Sequence, residues 1–193
     1  MRYQLLSILV VVLFLFATCK KDFTPRPRGY FRISFPAKIY KTLELPLPYS
    51  FQVPVYATVG PDLLSPDQSN WVTIDVPANH AQIHLSYRLI EDNLGKFIEE
   101  SHSLAYKHSQ KASSIDEQVF INPSKRVYGT IYNIKGNAAS PIQFYLTDSV
   151  RNFLRGSLYI KEIPNSDSLQ PVIRFLTQDV LQLIKTTQWK KVK

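Results

Sequence analysis

From residue 29 onward, apolar and polar residues alternate in two rhythms, and the switches between them mark out the elements. In Gly29-Tyr30-Phe31-Arg32-Ile33-Ser34-Phe35-Pro36, the apolar Phe31, Ile33 and Phe35 alternate with polar neighbours, which predicts a strand with one buried face. Tyr49 to Val53 and Val55 to Val59 repeat the signal. Pro54 between them lacks a ladder donor and suits an edge strand or a bulge. Val72, Ile74 and Val76 alternate against Trp71, Thr73 and Asp75. After Pro77-Ala78-Asn79 the alternation resumes at Ile83, Leu85, Tyr87 and Leu89, and the short gap predicts a hairpin.

The period then lengthens. With Asp92 or Asn93 as cap, Leu94, Phe97, Ile98, Ser101, Leu104, Ala105 and His108 fall on one stripe of a helix. Residues 109–123 keep no regular rhythm and read as a less ordered connection. Val127, Gly129, Ile131 and Asn133 then alternate with Tyr128, Thr130, Tyr132 and Ile134, and Lys135-Gly136-Asn137 marks a tight turn. Ile142, Phe144 and Leu146 form the next alternating run, followed by a strand from Phe153 to Ile160. Ser168 can cap a closing helix, with Pro171 tolerated in its first turn. Its apolar stripe holds Leu169, Val172, Ile173, Leu176, Val180, Leu183 and Ile184 and extends to Trp189. Strands, helix, strands, helix, without βαβ alternation, predict an α+β fold: an antiparallel sheet with two main helices packed on it. One such domain accounts for residues 29–193.

The first residues follow another logic. A positive start at Met1-Arg2-Tyr3-Gln4 precedes an apolar run from Leu5 to Ala17. That run is shorter than the roughly 20 residues needed to cross a bilayer. A charged start, a short apolar core and small residues before a break describe a secretory signal. Cys19 follows Ala17-Thr18 directly, so residues 1–18 read as a lipoprotein signal peptide. The thiol of Cys19 would take a diacylglyceryl group and the new amino terminus an acyl chain such as palmitate. The alternative is an uncleaved anchor helix with an incidental cysteine. Both export the remainder and tie it to a membrane of the cell envelope, inner or outer, with the periplasmic side the expected one. Residues 19–28 carry Lys20, Lys21, Arg26 and Arg28, and two prolines one residue apart, Pro25 and Pro27, predict an extended tether. Beside a bilayer such charges add on the order of 1 kcal/mol each toward anionic headgroups, unless the tether is simply solvated.

Composition sharpens this reading. The chain has 193 residues, 45% hydrophobic, which excludes a disordered chain. A single cysteine excludes a disulfide framework and a cysteine-rich zinc site. The net charge of +8 would suit nucleic acid, anionic lipid or an acidic partner. Export removes nucleic acid from that set.

The search for chemistry returns little. There is no Gly-rich phosphate loop, no Gly-x-Ser-x-Gly elbow and no Ser-x-x-Lys. Of His80, His84, His102 and His108, the first two lie four apart, but no Glu stands between them and the segment reads as a strand in place of a zincin helix, so no metal, no cofactor and no catalytic residue is expected. Glu99-Glu100 are helix neighbours that point apart. Lys107, His108 and Lys111 gather near a helix C-terminus, where the dipole favours cations; they form either a solvated end or a patch for an anionic partner. Asn137 lies in Gly136-Asn137-Ala138-Ala139-Ser140, a loop for close backbone approach or a plain hairpin turn. Asp148 and Ser149 form an Asx or ST turn, or belong to a hydrolase if the fold brings a histidine. Arg155, on the strand from Phe153, completes the candidate partner-binding set.

Six segments carry a resemblance: Arg-Gly-Tyr-Phe-Arg-Ile-Ser-Phe-Pro (28–36), Ile-His-Leu-Ser-Tyr (83–87), Ala-Tyr-Lys-His-Ser-Gln-Lys-Ala (105–112), Gly-Asn-Ala-Ala-Ser-Pro-Ile-Gln-Phe-Tyr-Leu-Thr-Asp-Ser (136–149), Phe-Leu-Arg-Gly-Ser-Leu-Tyr (153–159) and Pro-Asn-Ser-Asp-Ser-Leu (164–169). Together with the lipoprotein signal, this chain resembles the gliding motility lipoprotein GldD family. The order of elements also resembles the Mog1/PsbP α-β-α sandwich, a likeness of fold that carries no function. The family resemblance implies a membrane-anchored, non-enzymatic component needed for gliding and tied to the type IX secretion system. Its partners would be other gliding or secretion proteins of the envelope. Only Cys19 takes a role from the family. Two other readings make different demands: an envelope hydrolase needs Ser149, Asp148 and a histidine together, and a small-ligand lipoprotein needs an apolar cavity between sheet and helix.

Overall fold

The alternating runs on either side of Pro77 fold back on each other. β5 (Val72–Val76) pairs antiparallel with β6 (Ala81–Leu89), Val76 opposite Ala81 and Val72 opposite Leu85. They belong to a computed structural model in which residues 33–190 are described. The turn between them is a 3-10 turn, Pro77–Asn79, closed by His80 in the left-handed region at φ 46°. The same device, Pro123–Lys125 followed by Arg126 at φ 51°, joins β7 (Ala112–Asn122) to β8 (Val127–Gly136). In both turns proline pre-sets the entering φ, and the left-handed residue reverses the chain.

Seven strands form one antiparallel sheet in the order β4-β5-β6-β10-β9-β8-β7, where β4 is Thr58–Pro61, β9 Ile142–Thr147 and β10 Asn152–Ile160. Successive residues of β10 serve opposite faces. Leu154 and Leu158 join a cluster with Ile83, Leu85, Ile131, Phe144 and Leu146, whereas Phe153 joins Tyr132, Ile134 and Tyr145. Gly156 leaves room on the first face, because a side chain there would run into the Phe144 ring. Helix α1 (Leu94–Tyr106) brings Phe97 and Ala105 to the second cluster. Helix α2 (Ser166–Thr186) brings Leu176, Val180, Leu183 and Ile184 to the first. The fold is therefore α+β, an antiparallel sheet between two helices in α–β–α layers.

Two small ladders complete the domain. β1 (Tyr40–Thr42) pairs with β3 (Gln52–Pro54), and β2 (Tyr49–Ser50) with β11 (Gln188–Trp189). Pro54 ends an edge strand, where its missing N–H costs nothing.

The expected boundaries differ in five places, each for a physical reason. Residues 33–35 form no strand: Phe35 instead stacks on Phe175 of α2 at 4.3 Å, and residues 29–32 lie outside the described residues. The run 49–53 is split between β2 and β3, whose partners differ, and residues 55–57 turn before β4 begins. Residues 112–122, expected to be irregular, are the long edge strand β7, mostly exposed on both faces. Its ladder to β8 holds it, so no buried alternation betrays it. At its far end, α2 stops at Thr186, and Gln188–Trp189 becomes a strand.

The fifth difference concerns the start of α2, whose cap is Asn165 in place of Ser168. Its side chain accepts from the N–H of Asp167 (3.2 Å) and of Ser168 (3.3 Å), which leaves Pro171 inside the helix. Replacing Asn165 by alanine is expected to lower stability by about 1 kcal/mol in urea unfolding.

Candidate functional site

Helix α1 covers only part of its side of the sheet. Beyond it, β6 and β10 present His84, Ser86, Arg88, Arg155, Ser157 and Tyr159, the residues that alternate with the core positions. These line a pocket of about 510 Å³. Phe97, Glu100 and Leu104 of α1 form one wall, and Asp62, Leu64 and Trp71 of the loop after β4 form the other.

The charges in this pocket are unequally matched. Arg88 grips Glu100 through both amino groups, Nη1 to Oε2 at 2.7 Å and Nη2 to Oε1 at 3.3 Å, with its guanidinium over the Phe97 ring. His84 Nδ1 lies 3.1 Å from Thr73 Oγ1 and 3.7 Å from Asp62 Oδ2. Arg155 forms no ion pair among the described residues; its Nη2 donates to Gln143 Oε1 at 2.6 Å. Burial lowers the pKa of Arg155. Since arginine only donates, this bond fixes Gln143 with its oxygen toward Arg155. The other end, Gln143 Nε2, is buried without an acceptor, and no other buried side-chain nitrogen or oxygen among the described residues is so left.

A second cleft, of about 1030 Å³, opens between the β8–β9 turn and α2. Gly136 adopts φ 97°, which L side chains rarely take, and turns the chain so that the Asn137 N–H donates to Lys111 O at 3.1 Å. Lys111, Lys135 and Arg174 line this cleft. Lys135 pairs with Asp116 at 2.6 Å, while Lys111 and Arg174 form no ion pair among the described residues.

The sequence-derived candidates therefore separate into three places. Lys111 and Asn137 meet in the second cleft. Lys107 caps α1, its N–H bonded to Ser103 O, and His108 has its pKa lowered by burial and then by the Arg155 charge. Asp148 lies apart in the β9–β10 turn. Its Oδ1 accepts from the N–H groups of Val150, Arg151 and Asn152, and its Oδ2 from the Asn152 amide at 2.6 Å. Burial pushes this carboxyl up, but the four hydrogen bonds outweigh it and hold it below the usual range. It is an Asx turn. His80 pairs with Glu162, His84 with Asp62 and His102 with Glu117, and no histidine hydrogen-bonds to Asp148 or Ser149. Among the described residues no cluster of metal-ligating side chains occurs, and no helix is long and apolar enough to cross a membrane. Cys19 lies outside them.

Sequence reasoning missed Arg88 with Glu100, Arg174, and the Asp62–His84–Thr73 contact. The polar positions of β6 were legible from alternation, but which loop or helix would face them was not.

Fold and clefts together define a small α+β module whose polar side chains line two open depressions. The chain belongs to the gliding motility lipoprotein GldD family, whose model matches residues 20–189. No curated protein matches it. Among solved structures it is similar to the solution structure of cyanobacterial PsbP (CyanoP) from Synechocystis sp. PCC 6803, with 8% identity, a TM-score of 0.49, and coverage of 82% of this chain and 97% of that one. Family membership gives the chain a role in gliding motility and, as a lipoprotein, an association with a membrane of the cell envelope.

Proposed function

We propose that the chain is attached to the membrane through acylated Cys19, faces the periplasm, and acts without catalysis as an assembly or scaffold component linking gliding to type IX secretion. The observation that carries this reading is the second cleft. It is wide and polar, with two cations, Lys111 and Arg174, that form no ion pair among the described residues. Such a surface suits an acidic segment of another envelope protein, since unmatched charge steers encounter and fixes register. The Asp148–Ser149 turn gives no support to a hydrolase, because the acid is committed to backbone and amide donors.

The experiment is a pull-down from solubilised envelope with the full chain and with the double variant Lys111→Glu/Arg174→Glu. Both positions are exposed, so folding should be unchanged. The wild type is expected to recover gliding or secretion components, and the variant roughly tenfold less. Recovery of none by the wild type, or equal recovery by both, would overturn the docking reading.

A further inference from the structure

The first pocket is built differently from the second, and its floor carries an unanswered charge. Arg155 rises from β10 between Phe153 and Ser157 on the same face, covered in part by α1. Two carboxylates line the same pocket, and each is engaged elsewhere. Glu100 is held by both arms of Arg88. Asp62 lies against His84 and accepts the Leu64 N–H at 2.9 Å. Gln143 offers Arg155 one oxygen, and its own Nε2 then lacks an acceptor. Of its other titratable neighbours, Arg88 is a like charge, Tyr159 and Tyr132 are phenols, and His108 is disfavoured in its charged form by burial and by Arg155 itself. Arg155 thus has one neutral acceptor and no counter-charge among the described residues, and a largely buried cation so placed is costly to keep.

The other end is apolar. Phe97, Leu104 and Phe153 form the inner wall, and Trp71 and Leu64 the outer one. Leu64 is 81% exposed, so a large apolar side chain stands in water at the rim. A pocket of about 510 Å³ with an apolar wall and one convergent cation has the size and character of a small-molecule site.

We infer that this pocket binds a small amphipathic anion, a carboxylate or phosphate head on Arg155 with an apolar body along Phe97, Leu104, Phe153 and Leu64. A planar carboxylate or a phosphate can take two parallel N–H donors from the guanidinium, which is why arginine suits either. The inference is independent of the docking cleft and of the lipid anchor, and it assigns Arg155 to a ligand in place of a protein partner.

The test uses the full-length protein, with octanoate, octyl phosphate, octanol and octylammonium as probes. Binding is followed by the shift of the Trp71 indole N–H in nitrogen–proton correlation spectra and by thermal melts. Octanoate or octyl phosphate is expected to shift Trp71 and raise Tm; whichever binds more tightly identifies the head group. Octanol and octylammonium should bind about tenfold more weakly or not at all. Arg155→Met should lose the preference for the anion, about tenfold or more in Kd, while the free variant melts at or above the wild-type temperature, since the uncompensated cation is gone. Arg155→Lys should restore part of the affinity.

Three results would overturn the inference: no anion binds, octylammonium binds as well as octanoate, or Arg155→Met keeps wild-type affinity. A free Arg155→Met protein that melts well below the wild type would also do so, because Arg155 would then be a structural group.

Discussion

Replacing Asp179 with alanine is expected to destabilise the domain by about 3 kcal/mol, the lower end of what breaking a buried ion pair costs. The carboxylate sits on α2 with its side chain 1% exposed, and every donor around it comes from the N-terminal part of the domain. Lys38 Nζ donates at 2.7 Å, Tyr40 OH at 2.9 Å and Tyr56 OH at 2.6 Å. Lys38 also donates to Phe175 O and lies 3.2 Å above the Phe175 ring centre. Burial and the neighbouring carboxylate raise both phenols above the usual tyrosine range, so they stay donors. Burial also lowers the Lys38 pKa, against the pull of Asp179. With alanine at 179, two hydroxyls would lose their acceptor and the largely covered ammonium its counter-charge, with Phe175 O and the Tyr56 hydroxyl left as its acceptors. Because Lys38 keeps some access to water, the low end of the range applies. For a domain of this size the loss corresponds to a fall in Tm of roughly 6–12 °C, measured by calorimetry. Asp179→Asn, which keeps an acceptor for one hydroxyl, should fall less. A Tm unchanged by Asp179→Ala would show that the network contributes nothing. The network also matters for placement, because Lys38 and Tyr40 lie on the segment that leads back toward Cys19.

None of that network was visible in the sequence. Lys38 and Asp179 are far apart along the chain, and Asp179 falls on a helix whose apolar stripe draws attention away from it. What was legible followed from burial on one face. β5, β6 and β8 alternate because one face is buried under α2, whereas β9 and β10 are buried on both faces yet keep their most apolar residues on the α2 side, and both helices show their stripes. Where burial is absent the signal fails: β7 is paired but mostly exposed, so its residues were free of any rhythm. Where burial comes from a helix contact alone, as at Phe35 against Phe175, alternation misleads and suggests a strand.

The site was legible only in fragments. The basic run at 105–112 supplied Lys111, which does line a cleft, and the glycine turn supplied Asn137 beside it. Arg174 is indistinguishable in sequence from any solvated helix charge. Asp148 looked chemical because an Asp-Ser pair can be, but a β-hairpin also needs an Asx turn, and the four hydrogen bonds show that need to be the governing one. Arg155 gained its interest from what surrounds it, since only the structure shows that Glu100 and Asp62 are already engaged.

The second large effect is expected at Cys19. Two or more acyl chains hold a protein to a bilayer durably, whereas one does so only marginally and none leaves only the basic tether. The N-terminal peptide of the membrane-bound chain is therefore expected to begin at Cys19 and to carry the mass of a diacylglyceryl thioether and an acylated amine. With Cys19→Ser, neither thioether nor cleavage before residue 19 can occur, and both mass additions should vanish. A peptide that begins at Met1 in the wild type would place the anchor in the uncut apolar segment.

The membrane-anchored gliding role is tested most directly by colony spreading of cells whose only copy of the chain carries Cys19→Ser, with its amount matched to wild type by immunoblot. Such colonies are expected to fail to spread, like those lacking the chain. Spreading equal to wild type would contradict that role.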